Sequence, residues 1–166
     1  MFYLMRLRRA KPPMLPAAAD EYVRKGNSVN FAEYLDFDAM RVLARAAVIA
    51  RKKDITISPI VFLFALIKEH RADFIFVRLL INKDEFEKSV EVIMNSQYKR
   101  APEEHMCGVE CDTVLTEALS RAAAHTGSAI VYGDLFSAVI ASDKTIQRLF
   151  FDFGVKKEDI YNVARW

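Results

Sequence analysis

Cysteine, histidine and clustered charge are the residues of this 166-residue chain whose types and spacing bear on chemistry. His105, Cys107 and Cys111, with Glu103 and Glu104 alongside, are the best candidate for metal ligation. Imidazole and thiolate are good zinc ligands, but a structural tetrahedral site needs four donors from well-formed pairs, and this spacing is irregular. The residues are expected instead to form a solvated loop with unpaired thiols. A Cys–His hydrolase would need Cys107 or Cys111 as nucleophile and His70 or His125 as base, and no local signature supports it. Both histidines fall near helix ends, where they can serve the helix dipole. Arg41, Arg45, Arg51, Lys52 and Lys53 form a basic stripe able to track phosphates, which reads more simply as the solvated face of a helix. No Gly-x-x-x-x-Gly-Lys-Ser/Thr loop is present, and none of the glycines (26, 108, 127, 133, 154) has the neighbours that cradle a phosphate. Neither catalysis, a metal nor a cofactor is expected.

The elements that must position these residues are helices. Hydrophobic residues make up 52% of the chain and charged residues 28%, which excludes wholesale disorder, and only 5 glycines argue against a many-stranded sandwich or barrel. The longest uncharged stretch, Ile55 to Ile67, is too short to cross a bilayer and contains Pro59. Two cysteines make no disulfide framework, and a reducing, cytoplasmic compartment fits them. The net charge of +2 is uneven: residues 1–25 hold six basic and two acidic residues. An apolar tip followed by Arg6-Leu7-Arg8-Arg9 inverts the order of a secretory signal. Lys11-Pro12-Pro13-Met14-Leu15-Pro16 then forces extended backbone, so residues 1–34 read as an irregular arm outside the core.

From Asp36 onward the punctuation is that of short helices. Asp36 caps a helix over 39–53, in which Arg41, Arg45 and Lys52 share one face and Met40, Leu43, Ala47 and Ala50 another. Ser58-Pro59 opens an almost wholly apolar helix over 60–69. Helices follow over 73–81 and, after Asn82, to about Ser96. Residues 97–109 read as a polar linker. Asp112 then caps a helix over 114–125 that ends before Gly127; Gly133-Asp134 opens 135–141, Ser142-Asp143 opens 145–153, Gly154 stops it, and 157–165 is last.

The second half repeats the first. A shift of 73 residues places Val42 on Leu115, Ala46 on Leu119, Ala50 on Ala123, Ile57 on Ile130, Phe62 on Leu135, Leu63 on Phe136, Ala65 on Ala138 and Ile67 on Ile140. After a change of loop length, Leu79-Leu80 falls on Leu149-Phe150 and Phe86 on Ile160. The expected fold is all-α: two tandem four-helix repeats, 36–96 and 110–166, packed as a pseudo-twofold domain over 35–166.

This doubled pattern resembles the Clp N-terminal domain, the tandem-repeat module at the front of Clp/Hsp-type AAA+ unfoldases. The resemblance rests on the Val42-Leu43-x-x-Ala46-x-x-x-Ala50 spine, on Ile57 with Phe62-Leu63-Phe64-Ala65-Leu66, on Ile130 with Leu135-Phe136-Ser137-Ala138-Val139, and on Leu149-Phe150 with the Gly154 turn leading to Ile160. Where that family carries Thr-Glu-His before each buried helix, this chain has Pro59-Ile60-Val61 and Tyr132-Gly133-Asp134, so the phosphoarginine ligand of some members is not carried over. The family's Thr near the first helix is Asp36 here. The resemblance implies docking of adaptor proteins or unfolded protein substrates, delivered to an AAA+ ring in cis or acting from a stand-alone relative. A free-standing interaction scaffold is the alternative, a nucleic-acid-binding helical domain a lesser one, and no membrane contact is expected. The docking residues it suggests are Asp36, Pro59, Ile60, Val61, Tyr132, Gly133 and Asp134. Phe74 and Phe151 join them because Phe74-Ile75-Phe76-Val77 and Phe150-Phe151 each leave one aromatic exposed on a helix.

Overall fold

The computed structural model describes residues 16–96, 107–125 and 127–164. Among them every regular element is helical: α1 (Pro16–Arg24), a 3-10 turn (Phe31–Glu33), α2 (Phe37–Lys53), α3 (Pro59–Ile67), α4 (His70–Arg78), α5 (Lys83–Ser96), α6 (Val109–Ala124), α7 (Tyr132–Ser142), α8 (Lys144–Asp152) and α9 (Lys157–Ala164). The two apolar helices α3 and α7 are the centre, and they touch each other. Apart from Phe64, every residue of α3 is buried, as the absence of any polar stripe in Pro59-Ile60-Val61-Phe62-Leu63-Phe64-Ala65-Leu66-Ile67 requires. Helices α2, α4 and α5 cover α3, while α6, α8 and α9 cover α7. The Tyr132 hydroxyl donates to the Leu66 carbonyl at 3.0 Å, tying the repeats together inside the core; burial pushes this phenol's pKa up.

The repeats are interlocked at their edges as well. Leu35, just before α2, bridges to Ile130, just before α7, and Cys107, just before α6, bridges to Ile57, just before α3. Each repeat therefore lends the residue ahead of its first helix to the turn ahead of the other's buried helix. An aromatic cluster continues the joint. Phe86 lies 5.1 Å from Phe76, 4.6 Å from Phe150 and 5.1 Å from Phe153, between ring centroids. These separations suit edge and tilted packing, which adds to the area buried.

Several sequence expectations are corrected here. The arm is not wholly outside the core: α1 packs on α6 and Ala19 is fully buried. Proline at the first turn of a helix is tolerated because that N–H has no intrahelical partner, so Pro16 can start α1 ahead of Ala17-Ala18-Ala19. The α2 face that is buried is Ala39, Val42, Ala46 and Ala50, and Met40 is exposed. Helix α4 begins at His70 and ends at Arg78, three residues earlier than expected at each end. Helix α6 starts at Val109 with Gly108 as its cap, so Asp112 lies inside the helix. Helix α7 is capped at Val131, one turn before Asp134.

The repeat register also changes. The four buried positions of α2 match Cys111, Val114, Ala118 and Ala122 of α6, a shift of 72, and the spine Val42-Leu43-x-x-Ala46-x-x-x-Ala50 recurs as Val114-Leu115-x-x-Ala118-x-x-x-Ala122. The shift becomes 73 from Ile57 and Ile130 because the turn after α6 is one residue longer. Beyond α3 and α7 it becomes 74. Leu79, Leu80 and Ile81 donate to Ile75, Val77 and Phe76 carbonyls, as Phe153, Gly154 and Val155 do to Leu149, Phe151 and Phe150. Leu80 is thus the counterpart of Gly154, not of Phe150.

Candidate functional site

Both repeats close their third helix, α4 or α8, with a residue in the left-handed region, Leu80 at φ 57° and Gly154 at φ 80°. Glycine takes this conformation freely, whereas leucine is strained there by about 1–2 kcal/mol. The strained side chain is not used for packing: Leu80 is 92% exposed. One turn earlier in each repeat stand Val77 and Phe151, exposed at 73% and 72%, and Phe74 lies a further turn back on α4 with the Arg78 guanidinium 5.0 Å from its ring. Leu80 and Gly154 line one shallow hollow of about 290 Å³ together with Val155 and Val163. Phe74, Val77 and Leu80 of repeat one and Phe151 of repeat two are thus exposed apolar side chains beside the turns that close α4 and α8, while Phe76 and Phe150 of the same helices are buried. Phe74 and Phe151 are the members of their pairs that face solvent.

A second cleft of about 550 Å³ opens in repeat two, among Arg121 and His125 of α6, Val131, Gly133 and Asp134 at the start of α7, and Tyr161 of α9. Arg121 pairs with Glu117 at 2.7 Å and lies 4.8 Å over the Tyr161 ring, and its buried Nε has no hydrogen-bond partner among the described residues. Asp134 accepts from the Val131 amide at 3.1 Å. Burial raises the pKa of its carboxyl above the usual range, against the Val131 hydrogen bond and the nearby charges of His125 and Arg121. Gly133 permits the cleft's geometry, because a Cβ there would fall 2.0 Å from the Ala164 carbonyl oxygen of α9.

The remaining candidates are placed differently. Pro59, Ile60 and Val61 are core residues, as is Tyr132, so none presents a side chain to a partner. Asp36 is half-buried and engaged in capping α2, accepting from the Ala39 amide at 2.7 Å. Arg41 and Arg45 are not free to track phosphates: both reach the buried Glu69 carboxylate, at 2.6 and 2.9 Å, and Arg71 holds Asp38 at 2.7 Å beside them. Cys107 and Cys111 are joined in a disulfide rather than left as free thiols, which also removes both as nucleophiles. Their i,i+4 spacing across the start of α6 puts the Cα atoms 5.4 Å apart, inside the bridging range. Glu103, Glu104 and His105 lie outside the described residues. Among the described residues no group of three or more His, Cys, Asp or Glu side chains converges on a metal-sized site, and no helix is long and apolar enough to cross a membrane.

Sequence reasoning missed Val77, Leu80 and the Glu69 pairing. The first two were legible as the i, i+3, i+6 row Phe74–Val77–Leu80, set against the buried row Ala72–Ile75–Phe76. Glu69 carried no such signal, because a glutamate between helices usually points to water.

No family model and no curated protein sequence matches this chain. Solved structures do. The N-terminal domain of Hsp104 from Candida albicans superposes with a TM-score of 0.70 at 19% identity, covering 79% of this chain and 89% of that one. A structure from a study of a malarial protein secretion system gives 0.71 at 17% identity, covering 80% and 92%. The architecture is a Clp N-type helical fold. More particularly, it is the fold of the Hsp104 N-terminal domain.

Proposed function

We propose that this domain is a non-catalytic docking module that holds apolar segments of unfolded polypeptides, or of adaptors that deliver them, in a Clp-type AAA+ chaperone or protease system. The observation that carries this reading is the exposure of Phe74, Val77, Leu80 and Phe151 beside the equivalent turns that close α4 and α8, the two turns sharing one hollow through Leu80 and Gly154. Phe76 and Phe150 of the same two helices are buried, so these side chains stand on a packed core, and exposed apolar surface on a packed domain marks an interaction site. The likeness in fold to the Hsp104 N-terminal domain supports the same reading.

The test is binding of a fluorescently labelled, permanently unfolded carboxymethylated polypeptide, followed by anisotropy. The unfolded chain is expected to bind and its native form not to. Val77→Ser with Phe151→Ser should weaken binding at least about tenfold, since each truncation removes side-chain burial of about 1.5–3 kcal/mol. Equal binding of native and unfolded chains, or an unchanged affinity in the double variant, would sink the reading.

A further inference from the structure

The pseudo-twofold gives the disulfide a structural counterpart. Cys107 and Cys111 occupy in repeat two the positions of Leu35 and Ala39 in repeat one. In repeat one the start of α2 is fixed by Asp36, whose carboxylate accepts from the Ala39 amide at 2.7 Å. The corresponding cap of α6 is Gly108, which has no side chain to offer, so the first turn of α6 lacks that hydrogen bond. The covalent link spans the gap: it runs from the residue ahead of the cap to the residue three beyond it. Cys107 is an exposed residue and also forms the inter-repeat bridge with Ile57, whereas Cys111 is fully buried. The turn held this way forms one wall, through Val109, Asp112 and Thr113, of a cleft of about 500 Å³ whose other wall includes Ala141 and Ser142.

We propose that Cys107–Cys111 is a thiol–disulfide exchange site, and that its redox state sets how firmly the start of α6 and its bridge to repeat one are held. The reacting partners are small thiols and disulfides of the glutathione class, or a dithiol oxidoreductase. A thiolate attacks the sulfur of the exposed Cys107, and the Cys107–Cys111 bond breaks. The Cys111 sulfur leaves with the electron pair and takes a proton, and Cys107 is left in a mixed disulfide. A second thiol attacks the outer sulfur of that mixed disulfide and releases Cys107 as a thiolate. In sum, two thiols are oxidised to one disulfide and the protein gains two electrons and two protons. The reverse reaction, with an oxidised small disulfide, restores the bond. In that reverse reaction the Cys107 thiolate attacks the small disulfide and releases one thiol, and Cys111, losing its proton, then displaces the second thiol from the Cys107 sulfur. Buried Cys111 therefore never has to meet the small molecule in either direction.

The full chain is equilibrated with mixtures of reduced and oxidised glutathione, trapped by alkylation and weighed, and amide exchange is measured at residues 109–113. Two thiols should appear together on reduction. Exchange at 109–113 should rise about fivefold or more, the worth of one missing helix cap, while α3 and the middle of α7 stay protected. Cys111→Ala, which places in repeat two the alanine that repeat one has at Ala39, should exchange like the reduced protein. Gly108→Asp supplies the cap that repeat one has; Gly108 is already extended at φ −101°, and a Cβ there meets nothing within 4 Å. It should shrink the difference between reduced and oxidised exchange to less than twofold. Thiols that stay free in oxidised glutathione, or identical exchange in the two redox states, would overturn the proposal. So would a Gly108→Asp protein with an undiminished difference.

Discussion

Replacing Gly133 by alanine adds one methyl group at the second residue of α7, and the structure sets its consequence. The new Cβ would lie 2.0 Å from the Ala164 carbonyl oxygen and 3.1 Å from its carbonyl carbon. Ordinary contact begins near 3.4 Å, so the end of α9 must withdraw by roughly 1.4 Å, and a backbone carbonyl has no rotamer with which to step aside. Overpacking of this kind costs about 1–3 kcal/mol. Glycine-to-alanine in a helix works the other way by about 0.5–1 kcal/mol, less so near a terminus. The net expectation is a loss of about 1–2 kcal/mol, or about 3–8 °C in Tm for a domain of this size. Thermal and urea unfolding measure the loss, and amide exchange locates it: protection should fall over Ile160–Ala164 and hold in α3 and α5. The sign is decisive, because helix propensity alone would make Gly133→Ala stabilising. A Tm equal to or above that of the parent would refute the close approach of α9 to α7.

Leu80→Gly should hold or raise the Tm, since relief of about 1–2 kcal/mol of left-handed strain outweighs the cost of glycine's extra freedom in the unfolded chain, and it should still weaken polypeptide binding. A clear Tm loss would show that Leu80 packs. Arg41→Ala with Arg45→Ala leaves the buried Glu69 carboxylate without either partner and should cost about 2 kcal/mol or more by urea unfolding. That figure sits below the range for fully buried pairs because both arginines are 41% exposed, and a loss under about 0.5 kcal/mol would contradict the pairing. Asp134 has a pKa raised by burial, so its favourable contribution to folding is complete below the unfolded value of about 3.8 and is lost as the pH rises through the folded value. Asp134→Asn should therefore flatten the stability–pH curve above pH 3.8 and raise the Tm at neutral pH relative to the parent, and an unchanged curve would remove burial as the dominant influence.

What the sequence made legible follows from where the signals are local. Ser58-Pro59 ahead of an unbroken apolar run, Asn82 ahead of Lys83-Asp84-Glu85, and Asp143 ahead of Thr145 each state a helix start in a few residues, and the structure puts helices there. The doubling was legible too, but its register was not. One added residue after α6 and one more later shift the match from 72 to 73 to 74, and a single shift aligns Leu119 where Ala118 belongs. The site was half legible. That one of Phe150 and Phe151 faces outward follows from helix geometry, and so does the same choice between Phe74 and Phe76. The Glu69 cluster depends on contacts between helices distant in sequence, which no local spacing encodes. The paired cysteines, by contrast, lie four residues apart and Leu80 sits in a locally closed turn, features that only the backbone geometry at those turns brings out. Pro59, Ile60 and Val61 were assigned a docking role by position in a resemblance, and burial by α3's neighbours decides against them.

The most direct test of the docking account is an NMR titration of the ¹⁵N- and methyl-labelled domain with the unlabelled, permanently unfolded polypeptide. The account predicts saturable shift changes concentrated at Val77, Leu80, Phe151 and Gly154, with the α2 face bearing Arg41 and Arg45 unaffected. Shifts centred on that α2 face, or none at concentrations where the polypeptide binds, would contradict it.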